Sequence, residues 1–364
     1  MLIVDTLSHG PLVWDEELVG LSDRMLTSGE SPFKIAQQLM SRVAKRIASD
    51  EHYFQRYSEA WVRSGVTCVS WTVGAIHEQP YSLEAAYDNL ASMTHMLDNR
   101  PGFFVKALRA ADIERAYREN KRAIILNFQN LDHIGADIDL LDRFYRMGVR
   151  IMQLTYNMRN AIGCGCTEAT DTGLTEFGRR VVERLNTLGT LIDLSHCGPK
   201  TSMDAILHST KPVAFTHTFA RRLYAHDRGK DDDLLKAVAE RGGYVGILAV
   251  PGFITAREKT TIDDFLDHVD YVVDLVGMDS VGLGTDFFGF SLPANLAARI
   301  DELLGILGFQ PEHRASFVQR IQKFEDYTLF PNLLAGLARR GYREAKLEKL
   351  AGGNFLRIFR EVVG

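Results

Sequence analysis

The sequence predicts an α/β protein built as a single (β/α)8 barrel of the TIM type. Eight short apolar or β-branched runs recur along the 364 residues, and segments with helical periodicity fill the intervals between them. Runs such as "AIILNF" and "GTLIDL" are apolar almost throughout, which suits parallel strands covered on both faces rather than an exposed antiparallel sheet. Eight parallel strands close into a barrel, and the chain is long enough to build one.

In order, the expected strands are Leu2 to Asp5, Val66 to Trp71, Ala123 to Phe128, Val149 to Thr155, Thr190 to Leu194, Pro212 to Phe215, Gly243 to Val250 and Ser280 to Gly284. The stretch at about 13–60 reads as a helical elaboration between the first two strands, with "FKIAQQLMSRVAKRIA" its clearest amphipathic piece. In "LTEFGRRVVERLNTLG", Leu174, Phe177, Val181, Leu185 and Leu188 share one helical face, and Gly189 stands where a C-terminal cap belongs. No linker or low-complexity tract divides the chain, so residues 1–364 are expected to form one domain.

Charge narrows the partners. A net charge of -5 with no basic stripe and no block of like charge gives no purchase for nucleic acid or a membrane surface, so a small-molecule substrate is expected. Cys68, Cys164, Cys166 and Cys197 have no paired spacing, which fits a reducing compartment. The first strand begins at Leu2, leaving no room for a signal peptide, and no apolar run reaches the ~20 residues of a transmembrane helix. A cytoplasmic location is the expectation.

In such a barrel the chemistry gathers at the carboxyl ends of the strands. The first strand runs toward His9, the third into Gln129, Asn130, Asp132 and His133, and the fourth into Tyr156 and Asn157. The fifth ends in Ser195 and His196, the sixth in His217 and the eighth in Asp286. His196 and His217 are one strand-helix-strand unit apart. Neighbouring strands lie roughly 4.8 Å apart, so two imidazoles at ~2.0 to 2.1 Å from one zinc ion can bridge them. Asp286, in "GLGTDF", is either a carboxylate of that site or a turn aspartate. The "GCGC" of Cys164 and Cys166 reads as a tight glycine turn rather than a thiolate site.

The motifs "LIDLSHCGPKTSMDAI", "PVAFTHTFARRLYAHDRGKDDDLL", "VGLGTDFFG" and "LAGGNFLRIFREV" resemble the renal or membrane dipeptidase family, metal-dependent barrels of the amidohydrolase superfamily. The resemblance implies a homodimer of (β/α)8 barrels that hydrolyses dipeptides with two zinc ions. It makes His196 and His217 zinc ligands, Asp286 the catalytic aspartate of the eighth strand, and Arg228 the residue that holds the substrate carboxylate. The bland alternative for Arg228, in the charged "HDRGKDDD", is a surface ion pair.

Three departures from the family pattern involve four positions. The His-x-Asp pair that follows the first strand is replaced by Leu7, Ser8 and His9, and the glutamate that bridges the two metals is replaced by Gln129. Tyr156 stands where the family places a histidine that polarises the substrate carbonyl. A neutral amide cannot offset the repulsion between two cations as a carboxylate does. These changes resemble a divergent bacterial branch of the family with altered metal ligands.

The expected cofactor is therefore a single divalent metal, one zinc per chain, held by His196 and His217. Asp286 serves as general base, His9 as third ligand or second proton-transfer group, and Tyr156 as the altered oxyanion contact. Gln129, Asn157 and Arg228 face the substrate. The function expected is hydrolysis of an amide or dipeptide-like bond in a small carboxylate-bearing substrate. The alternative is a non-hydrolytic isomerase or lyase, or a ligand-binding homologue that has lost dipeptidase activity.

Overall fold

The computed structural model describes residues 1–29, 32–73, 82–289, 301, 304–305, 308–313, 316 and 319–364. Eleven strands are seen among them: β1 (Val4–Asp5), β2 (Ser8–Pro11), β3 (Cys68–Thr72), β4 (Phe104–Lys106), β5 (Arg122–Phe128), β6 (Val149–Gln153), β7 (Leu191–Asp193), β8 (Ala214–Thr218), β9 (Tyr244–Ile247), β10 (Val281–Leu283) and β11 (Phe287–Gly289). Eight of these run parallel in the order β1-β3-β5-β6-β7-β8-β9-β10 and form a nearly closed barrel. At the seam Thr6 N donates to Leu283 O at 2.9 Å, and the Asp5 carboxylate accepts from Thr285 N (2.7 Å) and Thr285 Oγ1 (2.6 Å).

All eight barrel strands fall within or beside the apolar runs that predict them. Three strands were not foreseen: β2, β4 and β11. The three-residue β4 pairs with the first half of β5, and β2 is a strand distinct from β1. Ser8 of β2 pairs with Phe287 of β11, so the stretch bearing His9 belongs to a small two-stranded sheet beside the barrel end.

Alternation along each strand divides the core. Ile124, Leu126, Ile192 and Phe215 join the large cluster shared with the surrounding helices. Val4, Cys68, Ala123, Ile125, Ile151, Leu191, Ala214 and Tyr244 form a second cluster that fills the barrel. Two residues further along the same strands the interior turns polar, at Thr6, Ser70, Asn127, Gln153, Asp193 and Thr216, all buried. Thr6 Oγ1 donates to Thr216 O at 2.5 Å, linking the first and sixth barrel strands. The polar layer must be hydrogen-bonded to be tolerated there, and it forms the floor on which the site is built.

The amino-terminal end of the barrel is closed by the last helix, Asn354–Val362, whose Phe355 and Phe359 join the interior cluster. Asn354 Nδ2 donates to Met278 O and Val281 O, both at 2.7 Å, so the "GGNF" motif ties the carboxyl terminus to the eighth barrel strand.

Between β1 and β3 run α1 (Glu16–Thr27), α2 (Pro32–Ser49) and α3 (Glu51–Ser64). Asp15 and Asp50 cap the first and third, accepting from Leu18 N and Tyr53 N. Tyr53, Tyr57 and Trp61 recur at intervals of four and bury one face of α3. Trp61 covers Gly10 so closely that a Cβ there would stand 3.1 Å from the indole ring, and the φ of +65° is itself a glycine conformation. The elaboration thus packs directly on the strand that carries His9. Among the described residues no helix is long and apolar enough to cross a membrane.

Candidate metal centre

His196 follows β7 and His217 lies in β8, and their Nε2 atoms stand 3.0 Å apart. Both imidazoles are buried, at 2% and 0% exposure. Burial, followed by the charge of Arg228, holds both well below the usual histidine range, so each ring is neutral and able to offer a lone pair.

Each ring is held from behind. His196 Nδ1 lies 2.7 Å from Asn157 Oδ1, an acceptor that also receives the Cys166 thiol at 3.4 Å. His217 Nδ1 lies 2.8 Å from Thr216 Oγ1. The Tyr156 ring stacks on His196, with centroids 4.1 Å apart and planes 20° apart. Gln129 Nε2 is 3.5 Å from His217 Nε2, at the edge of hydrogen-bonding distance.

Asn157 adopts φ +45°, a left-handed conformation that asparagine tolerates better than most residues. Gly165 makes this turn possible: a Cβ there would stand 2.0 Å from both the carbonyl carbon and oxygen of Asn157. The "GCGC" run is accordingly a close backbone approach that supports the residue behind His196. Cys164 and Cys166 are both buried and free.

Arg228 is fully buried, which removes the surface ion pair as an account of it. Its Nη1 donates to Ser195 O and its Nη2 to His217 O at 2.7 Å, so the guanidinium clamps the chain beside both histidines. Two of its five N–H groups are spent in this way, and Nε is buried without a hydrogen-bond partner. Lys230 is buried as well, donating to Cys197 O at 2.6 Å with its ammonium 5.0 Å from the Phe215 ring centroid. Burial pulls Lys230 down to about 8.

Asp286 follows β10 at φ +55°, its backbone N–H donating to Leu7 O at 2.9 Å. Burial raises its carboxyl to about 7, opposed by the Arg228 charge and reinforced by Asp5 and Asp193. His9 packs edge-on against Trp71, with ring centroids 5.6 Å apart, and burial lowers it to about 4.

The structure thus brings His196, His217, Gln129, Asn157, Tyr156 and Arg228 into one contiguous set. Among the described residues, no group of three or more histidine, cysteine, aspartate or glutamate side chains is gathered to hold a metal. Neither His9 nor Asp286 therefore joins the histidine pair as a third ligand of that kind in this arrangement.

Sequence reasoning overlooked Asp193, which lies beneath the pair. Its carboxylate accepts from Ser195 N (3.0 Å), Ser195 Oγ (2.6 Å), Thr216 N (3.0 Å) and Thr216 Oγ1 (2.5 Å). Burial pushes this carboxyl up, against the hydrogen bonds from Ser195 and Thr216. The available signal was the D-x-S-H spacing, in which an aspartate two residues before a serine accepts from its backbone N–H in an Asx turn.

The donor set suits a small cation. Asn157 Oδ1 can only accept, so His196 Nδ1 carries the ring proton and its Nε2 is bare. His217 Nδ1 is likewise engaged, 2.8 Å from Thr216 Oγ1, which leaves its Nε2 toward His196. Two lone pairs facing each other at 3.0 Å repel unless a positive charge lies between them. Neutral imidazoles oriented through Nδ1 are what a divalent metal requires.

Comparison with known proteins agrees with the fold. Residues 32–301 and 315–363 match the membrane dipeptidase family, peptidase family M19. The chain is 31% identical over 260 residues to the dipeptidase tcpJ of Claviceps purpurea, a match covering 70% of this chain and only 55% of that protein's length. An amidohydrolase from Pseudomonas aeruginosa superposes with a TM-score of 0.78 at 28% identity, over 100% of this chain and 97% of that one. A Rhodobacter sphaeroides metallopeptidase, solved with a phosphinate mimic of the dipeptide L-Ala-D-Ala, shares the fold with a TM-score of 0.70 at 22% identity, over 84% and 89% of the two chains. The chain belongs to the membrane dipeptidase family, peptidase family M19, a family of dipeptidase-like metallohydrolases.

Proposed function

We propose that the protein is a metal-dependent hydrolase of an amide or dipeptide-like bond in a small carboxylate-bearing substrate, working with one zinc ion per chain. The observation that carries this reading is the convergence of His196 Nε2 and His217 Nε2 at 3.0 Å, with both Nδ1 atoms engaged elsewhere. His196 and His217 would hold the ion, and the Gln129 amide brings a weak third donor. When bound, a divalent ion supplies Lewis-acid activation of water or of the scissile carbonyl.

The chain's own residues do the rest. Asp286, raised to about 7, takes the proton of the attacking water and returns it to the leaving amine. Arg228 keeps three N–H donors beyond the two given to Ser195 O and His217 O, and these bind the substrate carboxylate. Tyr156 walls the site against His196, and His9 is a second proton-transfer group arriving from β2. The family also leads us to propose a homodimer.

A second reading, proton transfer without hydrolysis, is favoured by Gln129, which stands beside His217 where the family's bridging carboxylate belongs. Elemental analysis of the purified protein, paired with assays on dipeptides and N-acyl amino acids, separates the two. Metal bound through His196 and His217 together with amide cleavage supports the hydrolase. Metal without cleavage of any amide favours the second reading, and absence of metal under zinc-replete expression refutes the first.

A further inference from the structure

We infer that Asp193 and Thr216 form a positioning relay that fixes His217 as its Nδ1–H tautomer and so aims a bare Nε2 at His196. The chain of donors leads to this arrangement step by step. Asp193 is 2% exposed, and four donors point at its two oxygens. Two of these are backbone N–H groups, which can only donate. Burial pushes this carboxyl up, and the four donors, with the Lys230 ammonium, oppose that by stabilising its charged form; the donor geometry sets both oxygens as acceptors.

A hydroxyl has a single proton to give. Thr216 Oγ1 lies 2.5 Å from Asp193 Oδ2 and 3.3 Å from Ser195 Oγ, so its proton goes to the carboxylate. Ser195 Oγ gives its own proton to Asp193 Oδ1 at 2.6 Å, and its lone pair accepts His217 N at 3.0 Å. Thr216 Oγ1 is left as an acceptor facing His217 Nδ1 at 2.8 Å, and that nitrogen must carry the hydrogen. The ring of His217 is therefore oriented by its sequence neighbour, which is itself oriented by a carboxylate on the adjacent strand.

Strand geometry explains why these residues can act together. Asp193 pairs with Ala214 in the β7–β8 ladder, which leaves Thr216 one alternation step beyond Asp193 on the interior side. A Thr-His dipeptide at this point serves both ends of the relay, with the threonine in the barrel and the histidine at the site. Asn157 performs the corresponding service for His196 from the other flank.

The relay adds to the proposed metal chemistry but depends on it only for its consequence, because a ring tautomer can be read without any metal. The test is the 15N chemical shifts of the His217 ring nitrogens in metal-free protein, compared among wild type, Thr216→Val and Thr216→Ser, with zinc affinity measured on the same samples. Wild type should show Nδ1 protonated and Nε2 bare. Thr216→Val, nearly the same shape without the acceptor, should lose that preference and weaken zinc binding by about 10- to 100-fold. Thr216→Ser should restore both. An Nε2–H tautomer in wild type, or wild-type shifts and affinity in Thr216→Val, overturns the relay. If the tautomer responds as expected but wild type binds no zinc, the relay stands and the hydrolase reading falls.

Discussion

His196 and His217 meet Nε2 to Nε2 at 3.0 Å although 21 residues separate them in the chain, and each is held in that pose by a hydrogen bond from its opposite nitrogen. A pair of lone pairs brought so close without a proton between them is an unfavourable contact that a cation relieves. The metal-free protein is therefore expected to gain stability on binding zinc. At zinc 100-fold above its Kd the gain is ~2.7 kcal/mol, visible as a rise in melting temperature. His196→Ala and His217→Ala should each abolish the rise while leaving circular dichroism unchanged. A melting temperature that responds to zinc equally in both variants would place the ion elsewhere.

Much of the barrel was legible because buried parallel strands are written as largely apolar runs, and β5, β6 and β9 are buried at every residue. β4 was missed because "FVK" is too short to register as a run and is held only by its pairing with Arg122–Ile124. β2 was missed because nothing local marks a partner about 280 residues away at Phe287. The same limit applies to the site. The histidines stand out by type and position, whereas Asp193, Thr216 and Ser195 look like ordinary turn formers until the β7–β8 pairing brings them under His217.

Asp286 sets a pH dependence with a definite sign. Its carboxyl sits at about 7 in the folded protein, raised by burial from an ordinary value of 3.8. A general base must be ionised, so kcat of the metal-loaded enzyme should climb with pH through about 7. Stability runs the opposite way. A raised carboxyl contributes stability that is present below about 4 and is lost as pH rises through about 7, at ~1.4 kcal/mol for each unit between. Asp286→Asn should lower kcat by about 10^2- to 10^4-fold and remove the kcat dependence, while Asp5, also raised by burial to about 7, keeps its own share of the stability loss. A variant that keeps the acidic limb of the pH profile would deny Asp286 the role of base.

Arg228 clamps two backbone carbonyls and, in the proposed function, also holds the substrate carboxylate; a lysine can do neither fully. Its planar fork spans Ser195 O and His217 O while leaving further N–H groups free, and an ammonium group cannot hold both carbonyls and a carboxylate in one plane. Arg228→Lys keeps the charge, so any loss reports geometry. Affinity for a carboxylate-bearing product is expected to fall about 10-fold or more, with a loss of ~1.5 to 3 kcal/mol in stability from a buried charged hydrogen bond. Affinity for an uncharged amide analogue of that product should change far less. Equal losses for both ligands would confine Arg228 to the structural task.

The metal count decides how far the resemblance to two-zinc dipeptidases extends. Leu7 is buried at 2% exposure where the family has a histidine, His9 stands edge-on to Trp71 where it has an aspartate, and Gln129 replaces the bridging glutamate. Leu7 and His9 stand where one ion's own ligands belong and Gln129 where the bridge belongs, so the proposed function leaves only the ion held by His196 and His217. One equivalent of zinc per chain is the expected stoichiometry, with little activity on simple dipeptides. Gln129→Glu alone should leave it at one, because a single added carboxylate lacks the charge and donor number to hold a second divalent ion. Leu7→His, His9→Asp and Gln129→Glu together should raise it to two. That triple variant buries a new imidazole at Leu7, whose carbonyl accepts the Asp286 N–H, together with two new carboxylates, so it should be less stable than wild type without metal and regain stability with zinc. Titration calorimetry on the three proteins gives the counts directly, and two tight equivalents in the wild type would mean that other side chains replace the missing ligands.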